Sequence, residues 1–226
     1  MTANTMTPHS DSPPCALVLD FGGVVTKTLF ETHRATEAAL GLQSGTLDWQ
    51  GPFEPASDPL WRSMQAGEIS ERDYWHTRAS EVGALVGQSW DHMSDFVRAA
   101  RGAEPQAVIR PEALDAMDRV KAAGLQLAIL SNELDLFYGE GFRVRLPWFT
   151  KVDVVVDATH TGILKPDPRS YADCIGQLDL HASQCVFVDD QARNIDGAMR
   201  AGMQTVLFDV KMPGQSYAAA LSLLGL

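Results

Sequence analysis

Residues 15–20, Cys-Ala-Leu-Val-Leu-Asp, form an unbroken apolar run that ends in a carboxylate. Without polar alternation, such a run suits a strand buried on both faces of a parallel sheet. Phe21-Gly22-Gly23 follows, and two glycines permit a tight turn and a close approach of backbone to a ligand. From residue 108 onward, helical and strand patterns alternate. A helix is predicted from Pro111 to about Ala123, closed by Gly124. Strands follow over Leu125–Leu130 and over the β-branched run Val152–Val156. The remaining elements are a helix over Pro168–Leu178, a strand over Cys185–Val188, a helix over Ala192–Ala201 ended by Gly202, and a strand over Gln204–Phe208. This alternation implies βαβ crossovers and an α/β architecture, a doubly wound parallel sheet of Rossmann-like form.

Residues 26–107 carry no convincing strand. Glu37–Leu40, Leu60–Met64 and Asp91–Arg101 read as helical, and Ser70 with Asp73 has the spacing of an N-terminal capping box. We therefore expect a mostly helical insertion of roughly 80 residues, a subdomain-sized unit. The core would be residues 15–25 and 108–226. Residues 1–14, rich in Thr, Ser and Pro, read as a disordered tail without the basic and apolar regions of a secretory signal.

Composition narrows the functional classes. The 226 residues include 29 acidic and 18 basic side chains, a formal net charge of −11. A chain this acidic is repelled by phosphate backbones, so no nucleic-acid partner is expected, while a local basic pocket for a small anion remains open. No apolar run approaches the ~20 residues of a membrane span. Cys15, Cys174 and Cys185 match no zinc spacing and read as buried free thiols. A cytoplasmic protein, monomer or homodimer, is expected.

The chemistry lies at the strand ends. In an open parallel sheet, ligands bind beyond the carboxyl ends of the strands. The first strand ends in Asp20, the second in Ser131 and Asn132, the fourth in Asp189 and Asp190. Lys165 lies in the loop before the helix at Pro168. Three clustered carboxylates repel one another. Lys165 and a hard divalent cation held by oxygen ligands would offset this, with Mg²⁺ the natural candidate. Asp20 would attack and form a covalent aspartyl intermediate, and Ser131 and Asn132 would donate to the transferring group. Taken singly, each group also has a structural reading: Asp20 as a turn cap, Ser131-Asn132 as a helix N-cap, Lys165 as a surface loop residue, Asp189-Asp190 as helix capping. His33 and Arg34 are expected on a solvated helix face. Trp61, Tyr74 and Trp75 are expected to build the core of the insertion, and Trp148 and Phe149 to pack near a loop.

Asp20-Phe-Gly-Gly-Val-Val25, Leu130-Ser-Asn132, Lys165-Pro-Asp167 and Val188-Asp-Asp-Gln-Ala-Arg-Asn194 resemble, in order, the four motifs of the haloacid-dehalogenase-like hydrolase superfamily. The helical insertion after the first motif is similar to its cap. The double Asp followed by Asn194 resembles the branch of sugar-phosphate phosphatases and of the phosphatase domain of soluble epoxide hydrolases. The resemblance implies an Mg²⁺-dependent phosphatase of a small, anionic phosphorylated metabolite. Asp20 would be nucleophile and metal ligand, with Asp190 and the Gly22 carbonyl as further ligands. Asp189 and Asn194 would act from behind the metal, Lys165 would hold nucleophile and substrate, and Ser131 and Asn132 would bind substrate.

Gly22 departs from the pattern, because family phosphatases usually carry a second Asp there as general acid. Losing such an acid costs about 10²–10⁴-fold. The reaction would then use a good leaving group, a proton from the cap or water, or no acid at all, as in halide displacement; catalysis could also be weak or lost. Two other readings therefore stand beside the phosphatase. One is a metal-independent hydrolase of carbon–halogen or epoxide bonds, and the other is a non-catalytic protein keeping the fold.

Overall fold

A computed structural model describes residues 12–101, 104–139 and 141–226. Most of the expected N-terminal tail, residues 1–11, lies outside the described residues.

Five parallel strands form the core: β1 (Ala16–Leu19), β2 (Gln126–Ser131), β3 (Val154–Asp157), β4 (Cys185–Asp189) and β5 (Gln204–Leu207). Their order is β3-β2-β1-β4-β5. The crossover direction reverses at β1, which makes its carboxyl end the topological switch point where ligands bind in such sheets. In register, Leu19 stands between Ile129 and Val188. The ends of β1, β2 and β4 are therefore level.

The described residues also form ten α-helices, with shorter helical turns between them. Four lie between β1 and β2: α1 (His33–Leu40), α2 (Pro59–Gln65), α3 (Glu71–Val86) and α4 (Met93–Arg101). The others are α5 (Pro111–Ala122), α6 (Leu134–Tyr138), α7 (Ala158–Thr161), α8 (Pro168–Leu178), α9 (Ala192–Arg200) and α10 (Pro213–Leu223). Alternation along the strands divides the core in two. Leu17, Leu19, Leu127 and Ile129 pack with α5 and α10 residues such as Met117 and Tyr217. Ala16, Val18, Leu130 and Phe187 pack with Tyr171, Cys174 and Ile195 of α8 and α9. Gly197 permits the close approach of α9, since a Cβ there would stand 2.6 Å from the Tyr171 hydroxyl oxygen. All three cysteines are free thiols, and burial pushes Cys174 and Cys185 up to about 12.

The sequence boundaries shift slightly. β3 begins at Val154, because the Asp153 carboxylate turns back to accept from the Leu127 amide at 2.8 Å. The helix α10 and the short helices α6 and α7 were not expected from the pattern.

The four inserted helices form a helical cap with its own core of Phe30, Trp49, Tyr74, Trp75, Val82 and Phe96. Two antiparallel segments join it to the sheet, through Lys27 N to Val108 O (2.8 Å) and Arg110 N to Val25 O (3.0 Å). The Ser70–Asp73 capping box forms as expected, with both reciprocal bonds at 3.1 Å. At the cap centre, Asp58 is 1% exposed. It accepts from Trp61 N (2.9 Å), Tyr74 Oη (2.9 Å) and Arg78 Nη2 (2.6 Å). His33 corrects the expectation of a solvated face: it is 8% exposed, 4.2 Å from the Trp49 ring centre. Its neighbour Arg34 is exposed. The α1 periodicity turns His33 inward, with Thr36 and Glu37 on the same buried face.

Two stability predictions follow from these cap groups. Asp58→Ala leaves the Arg78 charge and the Tyr74 hydroxyl underpartnered in the interior, so a loss of about 3–5 kcal/mol is expected in urea melts. Burial holds His33 down at about 4, against 6.5 when unfolded. Between those values the unfolded chain binds more protons, so the stability His33 contributes is complete above 6.5 and is lost as pH falls towards 4. His33→Leu should flatten the fall of Tm over that window; an unchanged slope would assign it elsewhere.

Candidate active site

The level strand ends bring together groups that lie far apart in the chain. Asp20 follows β1, and its amide donates to the Val188 carbonyl oxygen at 2.9 Å. Ser131 ends β2 and Asp189 ends β4. The Lys165 ammonium, 4% exposed, donates to Asp20 Oδ1 and to Asp189 Oδ2, both at 2.7 Å. The surface reading of Lys165 is thereby excluded. Asn132 fixes the lysine loop from both sides: its Oδ1 accepts from Lys165 N at 2.7 Å, and its Nδ2 donates to Lys165 O at 3.2 Å. Neither Ser131 nor Asn132 caps a helix, since Glu133 holds the N-cap position of α6 without a side-chain bond. The Ser131 hydroxyl makes no side-chain hydrogen bond among the described residues and lines the cleft.

The two neighbouring aspartates differ. Asp189 is fully engaged, taking Lys165, the Asn194 amide on both oxygens (3.0 Å each) and the Gln191 backbone N–H (2.8 Å). Asp190 makes no hydrogen bond or ion pair among the described residues. One oxygen each of Asp20, Asp189 and Asp190 lies within 4.8 Å of the others. Burial, then Asp189 and Asp20, holds the Asp190 carboxyl well above its ordinary range. Burial pushes Asp20 up to about 7 and Asp189 adds to this, against the pull of Lys165. For Lys165, burial works against the charge, but Asp189 and Asp20 outweigh it and raise the lysine. Three carboxylates thus share one ammonium. The Asn194 Oδ1 atom is buried without a partner among the described residues. An oxygen-rich set with an uncompensated carboxylate and an orphaned acceptor fits a hard divalent cation.

The turn after Asp20 is built for close approach. Gly23 has φ +78°, and a Cβ there would stand 2.6 Å from Asp190 Oδ2. Arg110 was missed in the sequence, where it reads only as the residue before the helix-opening Pro111. It is 2% exposed and donates from Nε and Nη2 to the Gly23 carbonyl oxygen (3.1 and 2.9 Å), with Glu31 holding its other side. Nothing in the local pattern marks it, because its partners are some 80 residues away.

Over these groups lies a cleft of about 110 Å³ between cap and sheet. Its cap side carries Phe30, Trp61 and Trp75, and α6 adds Phe137 and Tyr138. Trp61 and Trp75 therefore do two things, building the cap core as expected and walling the cleft. Arg101 also lines it, stacked on Tyr138 at 5.5 Å and donating to Lys27 O at 2.8 Å; its Nε and Nη1 are buried without a partner among the described residues. A separate acidic group is taken up structurally. Asp157 accepts from the Leu134, Asp135 and Thr159 amides, and Asp135 bonds Arg143 and His160.

The model of the family described as "Hydrolase: haloacid dehalogenase-like hydrolase" matches residues 16–202. The chain belongs to the haloacid dehalogenase-like hydrolases. It is similar to phosphatase MT3486 of Mycobacterium tuberculosis (strain CDC 1551 / Oshkosh), 32% identical over 86% of this chain and 87% of that protein. It is also 32% identical to (S)-2-haloacid dehalogenase 4A of Burkholderia cepacia, over 79% and 78% of the two chains. Acyl-CoA dehydrogenase family member 10 of Mus musculus is 39% identical over 86% of this chain, which spans only 18% of that protein's length. The fold matches the HAD-hydrolase YfnB of Bacillus subtilis, solved bound to magnesium, with TM-score 0.64 at 16% identity over 87% of each chain. This hydrolase thus has phosphatases and dehalogenases among its relatives. No helix among the described residues is long and apolar enough to cross a membrane.

Arg110 holds the turn after Asp20 through the Gly23 carbonyl oxygen and makes no hydrogen bond to Asp20 itself among the described residues, which makes it a positioning residue. Arg110→Met is expected to lower kcat by up to about 10²-fold through a misplaced Asp20 loop, with KM little changed. Arg110→Lys, which keeps the charge without the fork, should recover part of that. Loss of Tm with kcat intact would reduce Arg110 to a purely structural role.

Proposed function

We propose that this hydrolase is an Mg²⁺-dependent phosphatase of a small phosphorylated metabolite. The observation that carries the reading is the asymmetry of the aspartate pair: Asp189 is saturated by Lys165, Asn194 and Gln191, while Asp190, beside Asp20, has no hydrogen-bond or ion-pair partner among the described residues. A hydrolase without a cation would leave that charge uncompensated. Displacement of halide by the same nucleophile has no use for Asp190.

Asp20, Asp190 and the Gly22 carbonyl would hold the cation, with Asp189 and Asn194 behind them. Bound there, Mg²⁺ would keep both carboxylates ionised and polarise a phosphoryl oxygen. Asp20 attacks phosphorus, and the bond from phosphorus to the ester oxygen breaks with its electron pair on that oxygen. An aspartyl phosphate results. Lys165 and the Ser131 hydroxyl stabilise charge on the transferring group. Water then attacks phosphorus, the aspartyl–phosphorus bond breaks, and phosphate leaves with the Asp20 carboxylate restored. Asn132 serves by holding the Lys165 loop.

Acetyl phosphate tests this core chemistry, because its acetate leaving group needs no protonation. Phosphate release is expected with Mg²⁺, lost in excess chelator and lost in Asp20→Asn. Release that survives Asp20→Asn would remove the nucleophile, and release indifferent to chelator would remove the metal. Halide release from 2-haloacids in place of phosphate release would move the reaction to carbon.

A further inference from the structure

The cleft contains a strong aromatic wall, and beside Asp20 it has no side chain at position 22 to serve as an acid; the two together bear on the leaving group. No histidine or cysteine lines it among the described residues. Its acids beyond the aspartates are Glu71 and Glu133. Arg72 holds Glu133 at 2.6 Å, and the Gln191 amide holds Glu71 at 2.7 Å with Arg193 beside it at 3.5 Å. The Tyr138 hydroxyl is bonded to Thr26 at 2.9 Å. Beside Asp20, Gly22 has φ −71° and ψ 127°, conformations open to any residue, and no heavy atom lies within 4 Å of where its Cβ would stand. Space for an acid exists there, and no side chain fills it.

A departing aliphatic alkoxide has a conjugate-acid pKa near that of water, ~15.7, whereas a phenol-like oxygen is near ~10. Without a general acid, the first is a poor leaving group and the second an acceptable one. The wall selects in the same direction. Phe30, Trp61, Trp75 and Phe137 offer ring surface, arranged edge-to-face or tilted with centroids 5.3–6.5 Å apart. Another ring could join such a set favourably. Of the polar groups on the cap side, Thr28 Oγ1 already donates to Glu31 at 2.9 Å, while Arg101, beside the Tyr138 ring, keeps Nε and Nη1 unpartnered among the described residues.

We propose that the substrate class is aryl phosphate monoesters, a flat aromatic alcohol esterified to phosphate, in preference to alkyl or sugar phosphates. This rests on the phosphatase reading. Asp20 takes the phosphoryl group, the ester electron pair leaves on the aryl oxygen, the ring delocalises it, and water supplies the proton.

The test is a substrate series on the full chain with Mg²⁺: phenyl, 1-naphthyl, hexyl and glucose 6-phosphate, with acetyl phosphate as the ring-free activated control. Aryl esters are expected to exceed hexyl phosphate and glucose 6-phosphate in kcat/KM by about 10²-fold or more. Gly22→Asp, which adds a carboxyl in open space, should narrow that gap by raising the alkyl rates. Hexyl phosphate turned over as well as the aryl esters would overturn the proposal; loss of that turnover in Glu133→Gln would identify Glu133 as the acid. Glucose 6-phosphate at the aryl rate would overturn it too. Turnover of acetyl phosphate without the aryl esters defeats the aryl assignment alone, whereas inactivity on both defeats the phosphatase reading.

Discussion

The Lys165 ammonium, held between Asp20 and Asp189 at 2.7 Å from each, is the contact on which the site depends. The sheet makes it necessary. Parallel pairing of β1 with β4 sets Leu19 beside Val188, so the residues that follow are two aspartates in adjacent positions. Carboxylates so placed in a poorly hydrated crevice repel, and burying either alone is costly. Lys165 supplies the counter-charge from a third segment, and its placement relies on the reciprocal Asn132 contact with its own backbone. One ammonium cannot balance three carboxylates. Asp190 is what remains, a carboxylate without a counter-charge among the described residues.

Around this charge centre, rigidity is layered. Arg110 pins the Gly23 carbonyl and Tyr217 donates to the Val24 carbonyl oxygen at 3.1 Å, so the turn carrying Asp20 is held from the α5 and α10 side of the sheet. The cap is stabilised separately by its own aromatic core and the buried Asp58–Arg78 pair. Across the cleft, Arg72 meets Glu133, and Glu71 meets Gln191 and Arg193. Partly exposed pairs of this kind are individually worth little. They link the start of α3 to the segments that follow β2 and β4, next to Ser131 and Asp190. Docking of the cap and assembly of the candidate site therefore share segments.

Much of this was legible in the chain. Continuous apolar runs ending in Asp20, Ser131 and Asp189 announced parallel strands with polar groups gathered at their ends, because strands covered by helices on both faces leave no solvated side for polar alternation. Ser70 and Asp73 announced the start of α3 by local spacing alone. The difference at His33 has a physical cause too. A lone histidine carries no sign of which way a short helix faces, and contact with Trp49 decides it. Trp61 and Trp75 pack in the cap core as expected, and packing does not exclude a second edge exposed to the cleft.

What the sequence determined is whatever is encoded within a strand, a turn or a cap: the order of the strands, the polar side chains at their carboxyl ends, and a glycine at position 22. Tertiary structure alone decided how those side chains divide the work. Asp189 and Asp190 are neighbours with the same side chain, yet one is consumed by Lys165 and Asn194 and the other is left unpartnered among the described residues. The same holds for Arg110 and for the aromatic wall, whose partners come from segments tens of residues apart. Such contacts follow from strand register and helix packing, and no local spacing in the chain records them.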